Sequence, residues 1–386
     1  MNRSFSQEIQ NVLGKFISYQ KLVGISNMLN YPLVHPITAS ILITSRCNSK
    51  CIYCSVWRLG DGCQYISIDK LDKLFHSLKK IGVQVIFLSG GEPLIRHDLE
   101  EIISLAKYYD LMVEVCTNGI LLTKRRAHKL IESGVDNIIL SLDSLDPEIY
   151  EIHRGVPFKY GEQALETLLH IKSEHPTVTC SVTCVVTRYN IGTLVSFINQ
   201  IHEYAKGKIS IDLQPYNRSH SYSLDLLENL SPKLRKLANK VLSYQKEFSK
   251  NERKLLPTSA LRTIFEKEIH QLINLKKNKH DFPLNNSEFY LKSMPDFLFD
   301  NKMPSGLNCV SGYVRIIIRS DLELAPCWQL PSIGDLNNEE LTDIWFSKKF
   351  REQRKAMKNL KCPGCMLLCH TEPGHFEWYN NIYKNR

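Results

Sequence analysis

The sequence predicts an α/β protein built on a parallel sheet. From residue 38 to about residue 215, short apolar runs alternate with amphipathic stretches. A short apolar run between turn signals is typical of a buried strand, and apolar residues at helical spacing indicate a helix. Strand–helix alternation at roughly 30–40 residues per unit indicates parallel strands joined by right-handed crossovers. The strands therefore form one parallel sheet, and the helices pack on its faces.

Six strands and five helices are predicted in this region. The strands are residues 38–44, 83–88, 112–116, 137–142, 178–187 and 208–213. The helices are residues 69–81, 98–108, 124–133, 161–174 and 191–205. Ser67 or Asp69 is expected to cap the first helix and Asp98 the second, because their side-chain oxygens accept free helix amides.

Composition bounds the class of protein. The chain has 386 residues, 43% hydrophobic and 23% charged, which fits one large or two modest globular domains. The formal net charge of +9 is too mild over this length to predict a nucleic-acid partner. No apolar stretch reaches the ~18 residues of a membrane span. Twelve cysteines in a large chain with no visible signal peptide predict thiols and metal ligands in a reducing cytoplasm.

Three cysteines follow the first predicted strand at C-x3-C-x2-C spacing: Cys47, Cys51 and Cys54. Three thiolates can hold three irons of a [4Fe–4S] cluster and leave the fourth iron open to an external ligand. The alternative is a zinc site or three buried thiols. A structural zinc would need a fourth ligand close by, and Cys63 is the one nearby candidate.

A second motif, Gly90-Gly91-Glu92-Pro93, ends the strand that follows. Glycines let the backbone approach a ligand closely, and proline stiffens the exit. Together with the cysteine motif and the aromatic Tyr53 just before its last cysteine, this order resembles the radical S-adenosylmethionine (SAM) enzymes. The six units then resemble the partial (β/α)6 TIM barrel of that family's core.

The resemblance implies a chemistry. SAM would chelate the open iron, and an electron from the cluster would split the sulfonium to give a 5′-deoxyadenosyl radical. In barrels of this kind the active site lies at the carboxyl ends of the strands, where both motifs fall. By position, the resemblance implies these cofactor-binding residues: Tyr53, Gly90, Gly91, Glu92, Ser141 and Gln214. Glu92 would belong to the ammonium-holding motif, Tyr53 would lie against the adenine, Ser141 would touch the SAM carboxylate or ribose, and Gln214 would offer a backbone contact.

Two arginines just past strand ends, Arg154 and Arg188, are further candidates. A guanidinium pairs well with an anionic group. The alternative for each is an ordinary surface arginine. Cys116, Cys180 and Cys184 are interpreted as small buried apolar residues.

Five cysteines return near the C-terminus: Cys309, Cys327, Cys362, Cys365 and Cys369. A predicted β-hairpin through Ser320-Asp321, two helices and Cys-x2-Cys resemble the twitch/SPASM module, which holds auxiliary [4Fe–4S] clusters. A single cluster needs four ligands, so which four of the five bind stays open. Leu322 stands where the family usually has a glycine. The alternative is a structural zinc ribbon.

Four segments are predicted. They are an N-terminal helical extension (1–37), the radical SAM core (38–215), a helical insert (216–305) and a twitch/SPASM-like module (306–386).

The predicted function is that of a cytoplasmic radical SAM enzyme that abstracts hydrogen from a small molecule, such as a sugar or alcohol. The implied partners are a reductant protein such as flavodoxin or ferredoxin and the substrate. Two alternatives stay open: an enzyme that modifies a peptide side chain, and a non-enzymatic iron–sulfur or zinc scaffold.

Overall fold

One mixed sheet organises the computed structural model of this chain. Within the residues described, nine strands form it in the order β6-β5-β4-β3-β2-β1-β7-β8-β9. The structure describes residues 18–54, 56–59, 65–217, 254–304, 309–328, 330–359 and 365–367.

The first six strands are all parallel to their neighbours, as the sequence predicts. They are β1 (Thr38–Thr44), β2 (Val85–Gly90), β3 (Met112–Thr117), β4 (Asn137–Ser141), β5 (Thr179–Val186) and β6 (Ser210–Pro215). The predicted second strand is shifted, since β2 begins two residues later and reaches Gly90. The second motif is therefore part of the strand end itself.

Burial explains why these segments form strands. Every residue of β1 is buried, as expected for a central strand covered on both faces. In β4 and β6 buried and half-buried residues alternate, so one face packs on helices and the other faces the more open inside of the barrel. The predicted α/β partial (β/α)6 barrel is confirmed, with a small C-terminal module beside it.

Helices cover the outside of this sheet. The helices up to β6 are α1 (Tyr19–Leu29), α2 (Ile68–Ile81), α3 (Leu99–Tyr108), α4 (Lys124–Glu132), α5 (Pro147–Arg154), α6 (Lys159–Glu174) and α7 (Leu194–Ala205). Helix α5 was not predicted, although Asp146 caps it through the amides of Glu148 and Ile149 and proline begins it.

The two predicted caps take different roles from those expected. Ser67 stands at the N-cap of α2 and Asp98 at that of α3, but neither side chain bonds the helix amides. Asp98 instead accepts two hydrogen bonds from Arg96, at 2.9 and 2.6 Å. The ion pair uses the carboxylate that a cap would need.

The insert closes one edge of the sheet. Its described part holds α8 (Arg262–Asn278) and α9 (Glu288–Asp300), and the predicted helix near 231–249 lies outside the described residues. Asn286 bonds both the amide and the carbonyl of Leu213 in β6. This backbone-like pairing covers an edge that would otherwise be exposed.

The C-terminal module continues the same sheet on its other side. The hairpin predicted through Ser320-Asp321 is present, and its first strand pairs in parallel with β1. Its elements are α10 (Ser311–Val314), β7 (Arg315–Ile318), β8 (Glu323–Ala325), β9 (Gly334–Asp335), α11 (Leu341–Phe346) and α12 (Lys348–Lys358). Helix α1 packs in one buried cluster with Val310, Tyr313 and Val314, so the N-terminal helix contacts the start of the C-terminal module.

Candidate active site

The cysteine loop leaves the carboxyl end of β1. Cys51 is buried, and Cys47 and Cys54 are half-buried. Their three sulfur atoms do not all lie within 4.8 Å of one another. A single tetrahedral zinc with bonds near 2.3 Å would need sulfur atoms about 3.8 Å apart. In this structure the three thiols are therefore not at the spacing of a single zinc site.

Polar groups surround these sulfurs. The Ser49 amide lies 3.5 Å from Cys47 Sγ, and the Asn118 side-chain amide lies 3.8 Å from it. Ser49 Oγ lies 3.2 Å from Cys51 Sγ. Burial raises the pKa of Cys47 to about 12 and that of Cys54 to about 11. Because metals bind the thiolate, these buried thiols must lose protons when metal binds.

Gly90 and Gly91 lock the end of β2 onto this loop. The amides of Gly91 and Glu92 donate to Thr44 O and Arg46 O, both at 2.8 Å. A Cβ on Gly91 would lie 2.0 Å from Arg46 O, and one on Gly90 would lie 2.1 Å from Thr44 O. The glycines are therefore required first by the close approach of two backbone segments.

Glu92 is a part of the scaffold. Its side chain is 1% exposed and accepts hydrogen bonds from Leu94 N (3.0 Å), Thr117 Oγ1 (2.7 Å) and Asn118 N (2.7 Å). Burial raises its pKa to about 7 although these donors favour the carboxylate. Oε1 accepts two of these hydrogen bonds and Oε2 accepts one, so Oε2 keeps a lone pair for a further donor. The role of Glu92 as an ammonium-binding carboxylate stays a prediction.

A buried polar network, missed by the sequence analysis, stands behind the cysteine loop. Asp143 is fully buried, and Arg154 Nε lies 2.8 Å from its Oδ2. The Tyr53 hydroxyl donates to the same oxygen at 2.8 Å, and His153 Nδ1 lies 3.3 Å from it. Burial alone would raise the pKa of Asp143, but the Arg154 charge and the bond to His153 lower it to about 2.

Arg154 is the cation of this site rather than a surface arginine. It is 4% exposed, its Nη1 lies 4.0 Å from Cys51 Sγ, and its guanidinium lies 5.6 Å from the Tyr53 ring centroid. Lys50 N and Ser49 Oγ both donate to its carbonyl oxygen, which ties the end of α5 to the loop. The sequence analysis named Arg154 as a candidate from its position past a strand end, but it did not find the partner Asp143.

The remaining predicted contacts line the inner face of the barrel. Strand register puts Cys116, Ser141 and Gln214 on one face, all half-buried. Ser141 Oγ lies 3.6 Å from Cys116 Sγ. Cys116 is therefore less enclosed than expected, whereas Cys180 and Cys184 are buried as predicted.

Arg188 follows β5 and is not part of the buried polar network around Asp143. It is half-buried, its guanidinium lies 5.8 Å from the Tyr189 ring centroid, and its amide donates to Leu255 O at 2.9 Å. No anionic side chain is described beside it, so its role as an anion partner stays a prediction.

Two of the C-terminal cysteines come together from distant segments, and a third lies in a separate small cluster. Cys309 and Cys327 belong to one buried cluster with Leu330 and Met357. Cys365 is buried beside Leu367, and Trp328, which follows Cys327, packs against that pair. The two other predicted ligands, Cys362 and Cys369, lie outside the described residues, as does Cys63.

The backbone conformation at Leu322 explains why the family usually has a glycine at this position. Its φ is +69°, in the left-handed region that favours glycine. The leucine side chain is 5% exposed and belongs to the main core. The hairpin therefore keeps the backbone shape that a glycine would give, with a buried side chain added.

Comparisons with known proteins identify the family. The family model of the radical SAM superfamily matches residues 41–201. A probable GTP 3′,8-cyclase of Methanococcus maripaludis is 32% identical over 225 residues, which cover 55% of this chain and 70% of that relative. This chain belongs to the radical SAM superfamily.

Other relatives agree with this assignment. A GTP 3′,8-cyclase of Chlorobaculum tepidum is 32% identical over 181 residues, covering 46% of this chain and 53% of the relative. The crystal structure of Streptococcus suis SuiB has a TM-score of 0.59 at 18% identity, covering 95% of this chain and 78% of that one. The structure of native anSMEcpe with bound AdoMet has a TM-score of 0.57, 18% identity and coverages of 90% and 96%. At these identities the two structures show the fold alone.

The C-terminal part of this radical SAM protein matches the model of the SPASM iron–sulfur cluster-binding domain over residues 309–366. The protein is an enzyme whose cofactors are SAM, a SAM-binding [4Fe–4S] cluster and auxiliary iron–sulfur. No helix in the described ranges is long and apolar enough to cross a membrane.

The residues present fit these groups. The buried Nη2 of Arg154 has no hydrogen-bond partner among the described residues, and it lies in the guanidinium that borders Cys51. A thiolate-bound cluster carries negative charge, which would satisfy this cation. The two amides beside Cys47 are donors that suit cluster sulfurs equally well.

Proposed function

We propose that this enzyme holds a [4Fe–4S] cluster on Cys47, Cys51 and Cys54 and uses it to cleave SAM, abstracting hydrogen from a small-molecule substrate. The cluster supplies the electron that splits SAM into methionine and a 5′-deoxyadenosyl radical. The chain supplies the position of both groups and the charge around them.

The cysteine loop, held from three sides, carries the proposal. Gly91 and Glu92 hold the loop from the end of β2 through their backbone amides. Asn118, just after β3, donates from its side-chain amide to Asn48 Oδ1 at 2.8 Å. Arg154, at the end of α5, holds the loop through its carbonyl oxygen. Such a loop keeps its ligands in place before the cofactor binds. Preorganisation of this kind is what a radical that must meet one substrate hydrogen requires.

We assign the SAM contacts on the same frame. The carbonyl oxygens of Gly90 and Gly91 and the Glu92 carboxylate are assigned as acceptors for the SAM ammonium. Ser141 and Gln214, both on the inner face of the barrel, take the carboxylate or ribose and a backbone contact, respectively. Tyr53, whose hydroxyl is already bonded to Asp143, offers its ring and backbone to the adenine.

Arg154 and Arg188 complete the cofactor site in this proposal. Arg154 balances the charge of the cluster beside Cys51, and Asp143 holds it there. Arg188 stands past the end of β5 and is assigned to the anionic part of SAM or substrate.

The auxiliary cluster is assigned to Cys309, Cys327 and Cys365 with a fourth thiolate from Cys362 or Cys369. In an alcohol oxidation the radical removes one hydrogen atom from carbon. After loss of the hydroxyl proton to a base, one further electron must leave, and a cluster held by these cysteines would supply its acceptor. The carbonyl product is thereby two electrons more oxidised than the alcohol.

The choice of a small substrate rests on the sequence relatives. Those at 31–32% identity over 225–227 residues are named for GTP, a small molecule. The competing choice, a peptide substrate, is supported by a structure of SuiB bound to its precursor peptide SuiA, at a TM-score of 0.57. We also assign a flavodoxin or ferredoxin as the reductant and the cytoplasm as the site of action.

The test is the anaerobic production of 5′-deoxyadenosine by reconstituted enzyme with SAM and dithionite. Wild type is expected to release it, and the triple variant Cys47→Ala, Cys51→Ala, Cys54→Ala is expected to release none. Cys180→Ala, a buried thiol outside the site, is the matched control and should keep the activity. An inactive wild type with intact clusters would overturn the proposal.

Electron paramagnetic resonance separates an enzyme from a scaffold. SAM should change the spectrum of the reduced first cluster, because it binds the open iron. An unchanged spectrum would favour a non-enzymatic cluster. Deuterium from a labelled alcohol that appears in 5′-deoxyadenosine would support a small substrate, and deuterium from a labelled peptide would support the other choice.

A further inference from the structure

We propose that His128, Glu174 and His175 form a zinc site on the outer surface of the barrel, in which His170 orients the glutamate. None of these residues belongs to the cysteine sites. The four side chains come from α4 and from the end of α6.

The donor atoms are already close to coordination spacing. One ligand atom from each of His128, Glu174 and His175 lies within 4.8 Å of the others. His128 Nε2 lies 3.3 Å from Glu174 Oε2. Ligand atoms about 2.0–2.1 Å from a tetrahedral zinc are about 3.3 Å apart, so this pair needs no rearrangement.

The other oxygen of Glu174 is held separately. His170, one turn earlier in α6, places its Nε2 at 3.2 Å from Glu174 Oε1. Partners that fix the second oxygen of a ligating carboxylate orient the first one toward the metal. The ring centroids of His128 and His175 are 5.5 Å apart and those of His128 and His170 are 6.1 Å apart. The three rings thus lie side by side, two of them with a nitrogen within 3.3 Å of the carboxylate.

The donor set selects the class of metal. Imidazole nitrogens with one carboxylate oxygen suit zinc, whereas magnesium and calcium prefer oxygen ligands alone. The site is half-exposed, so the ion can enter from solvent and water can fill the remaining position.

The place of the site in the fold indicates a bracing role. His175 ends α6 and precedes β5, at the amino end of the strands. The cysteine loop leaves the opposite, carboxyl end. A metal here would join α4 to α6 on the outside of the barrel without taking part in the radical chemistry.

The experiment uses cluster-loaded enzyme dialysed anaerobically against micromolar zinc, with zinc and iron measured in the same samples. Wild type is expected to hold one more zinc per chain than the His128→Asn, His175→Asn double variant, at equal iron. His280→Asn, which removes an exposed histidine elsewhere, should keep the extra zinc. Zinc should also raise the melting temperature of wild type and not that of the double variant.

Two further variants keep the test decisive. Glu174→Gln keeps the side-chain shape and should lose the extra zinc even if the double variant folds poorly. His170→Asn should weaken zinc binding about 10- to 100-fold, as the loss of an outer partner does. Equal zinc in wild type and in Glu174→Gln would overturn the site, and unchanged affinity in His170→Asn would overturn the orienting role.

Discussion

The two cysteine sites of this enzyme are built in opposite ways. Cys47, Cys51 and Cys54 lie on one loop, and the neighbouring strand ends hold that loop through backbone hydrogen bonds. Cys309 and Cys327 come from separate segments and share one apolar cluster, and Cys365 lies in a second cluster on which Trp328 packs. The cysteine loop of the first site can therefore take its conformation before the cofactor binds, whereas the second site depends on the fold of its whole module.

The largest expected effect tests this contrast at the second site. Wild type should hold about eight irons per chain, the count for two cubes. The Cys309→Ala, Cys327→Ala variant should lose about four and loosen residues 309–359, because its ligands close a long loop. Iron analysis and hydrogen exchange measure both effects.

Matched variants complete that experiment. The triple alanine variant of the first site should also lose about four irons, but its hydrogen exchange should change only around the loop. Cys369→Ala decides whether the fifth thiol binds iron. A wild-type protein with about four irons and one zinc would make the module a zinc ribbon and end the comparison.

The second effect tests the backbone lock at the first site. Gly91→Ala would place a methyl group 2.0 Å from Arg46 O, so the loop or β2 must move. We expect the first cluster to be lost and the second to be kept, as read by iron content and by SAM-dependent resonance signals. Gly24→Ala is the control: the space around it is open, and alanine should add about 0.5–1 kcal/mol to the stability of α1. Full first-site iron in Gly91→Ala would show that the lock is dispensable.

The third effect concerns the charge behind the loop. Arg154→Gln leaves Asp143 buried without its cation, which costs about 3 kcal/mol or more in unfolding free energy. It also removes a positive charge 4.0 Å from Cys51 Sγ, so the potential of the first cluster should become more negative. Arg154→Lys keeps the charge and should recover much of the potential. Redox titration followed by resonance spectroscopy measures it, and an unchanged potential in Arg154→Gln would contradict the role.

A smaller effect probes the second site through its hairpin. Leu322→Gly would relieve a left-handed leucine, worth about 1–2 kcal/mol. It would also remove a buried leucine side chain, worth about 2–5 kcal/mol. We expect a net loss of about 2 kcal/mol, measured by chemical denaturation. A gain in stability would mean that the core around Leu322 repacks.

The smallest expected effect concerns Asp212, which lies outside both cysteine sites and changes only the pH dependence of stability. Burial raises the pKa of half-buried Asp212 to about 6, above its ordinary 3.8. The protonated form is favoured by folding, so this contribution is present at low pH and is lost as pH rises through 6. Asp212→Asn should therefore be about 1 kcal/mol more stable than wild type at pH 8, with a smaller gain near pH 5. An equal gain at both pH values would assign the effect to another cause.

Local patterns carried most of what the sequence could predict. The six strands, their helices and the first cysteine loop each depend on residues close together in the chain. Helix α5 was missed although Asp146 and the proline after it are ordinary start signals. It was overlooked because the stretch is short and lies between two stronger elements.

Long-range features could not be predicted. The pairing of β7 with β1 joins residues far apart in sequence, and nothing local records it. The same holds for Arg154 beside Cys51. The hydrogen bonds that Thr117 and Asn118 donate to the Glu92 carboxylate also come from a distant segment, at the end of β3, and no local pattern records them.

The pairing of β1 with β7 also matters while the chain is being made. Every residue of β1 is buried in the finished sheet, between β2 and β7. Until residue 318 has been synthesised, β7 is incomplete and the apolar strand β1 has one unpaired edge. Such edges recruit strands from other molecules. β7 therefore covers the open edge of β1 only late in synthesis. A chain whose synthesis stops before β7 is expected to aggregate through that edge.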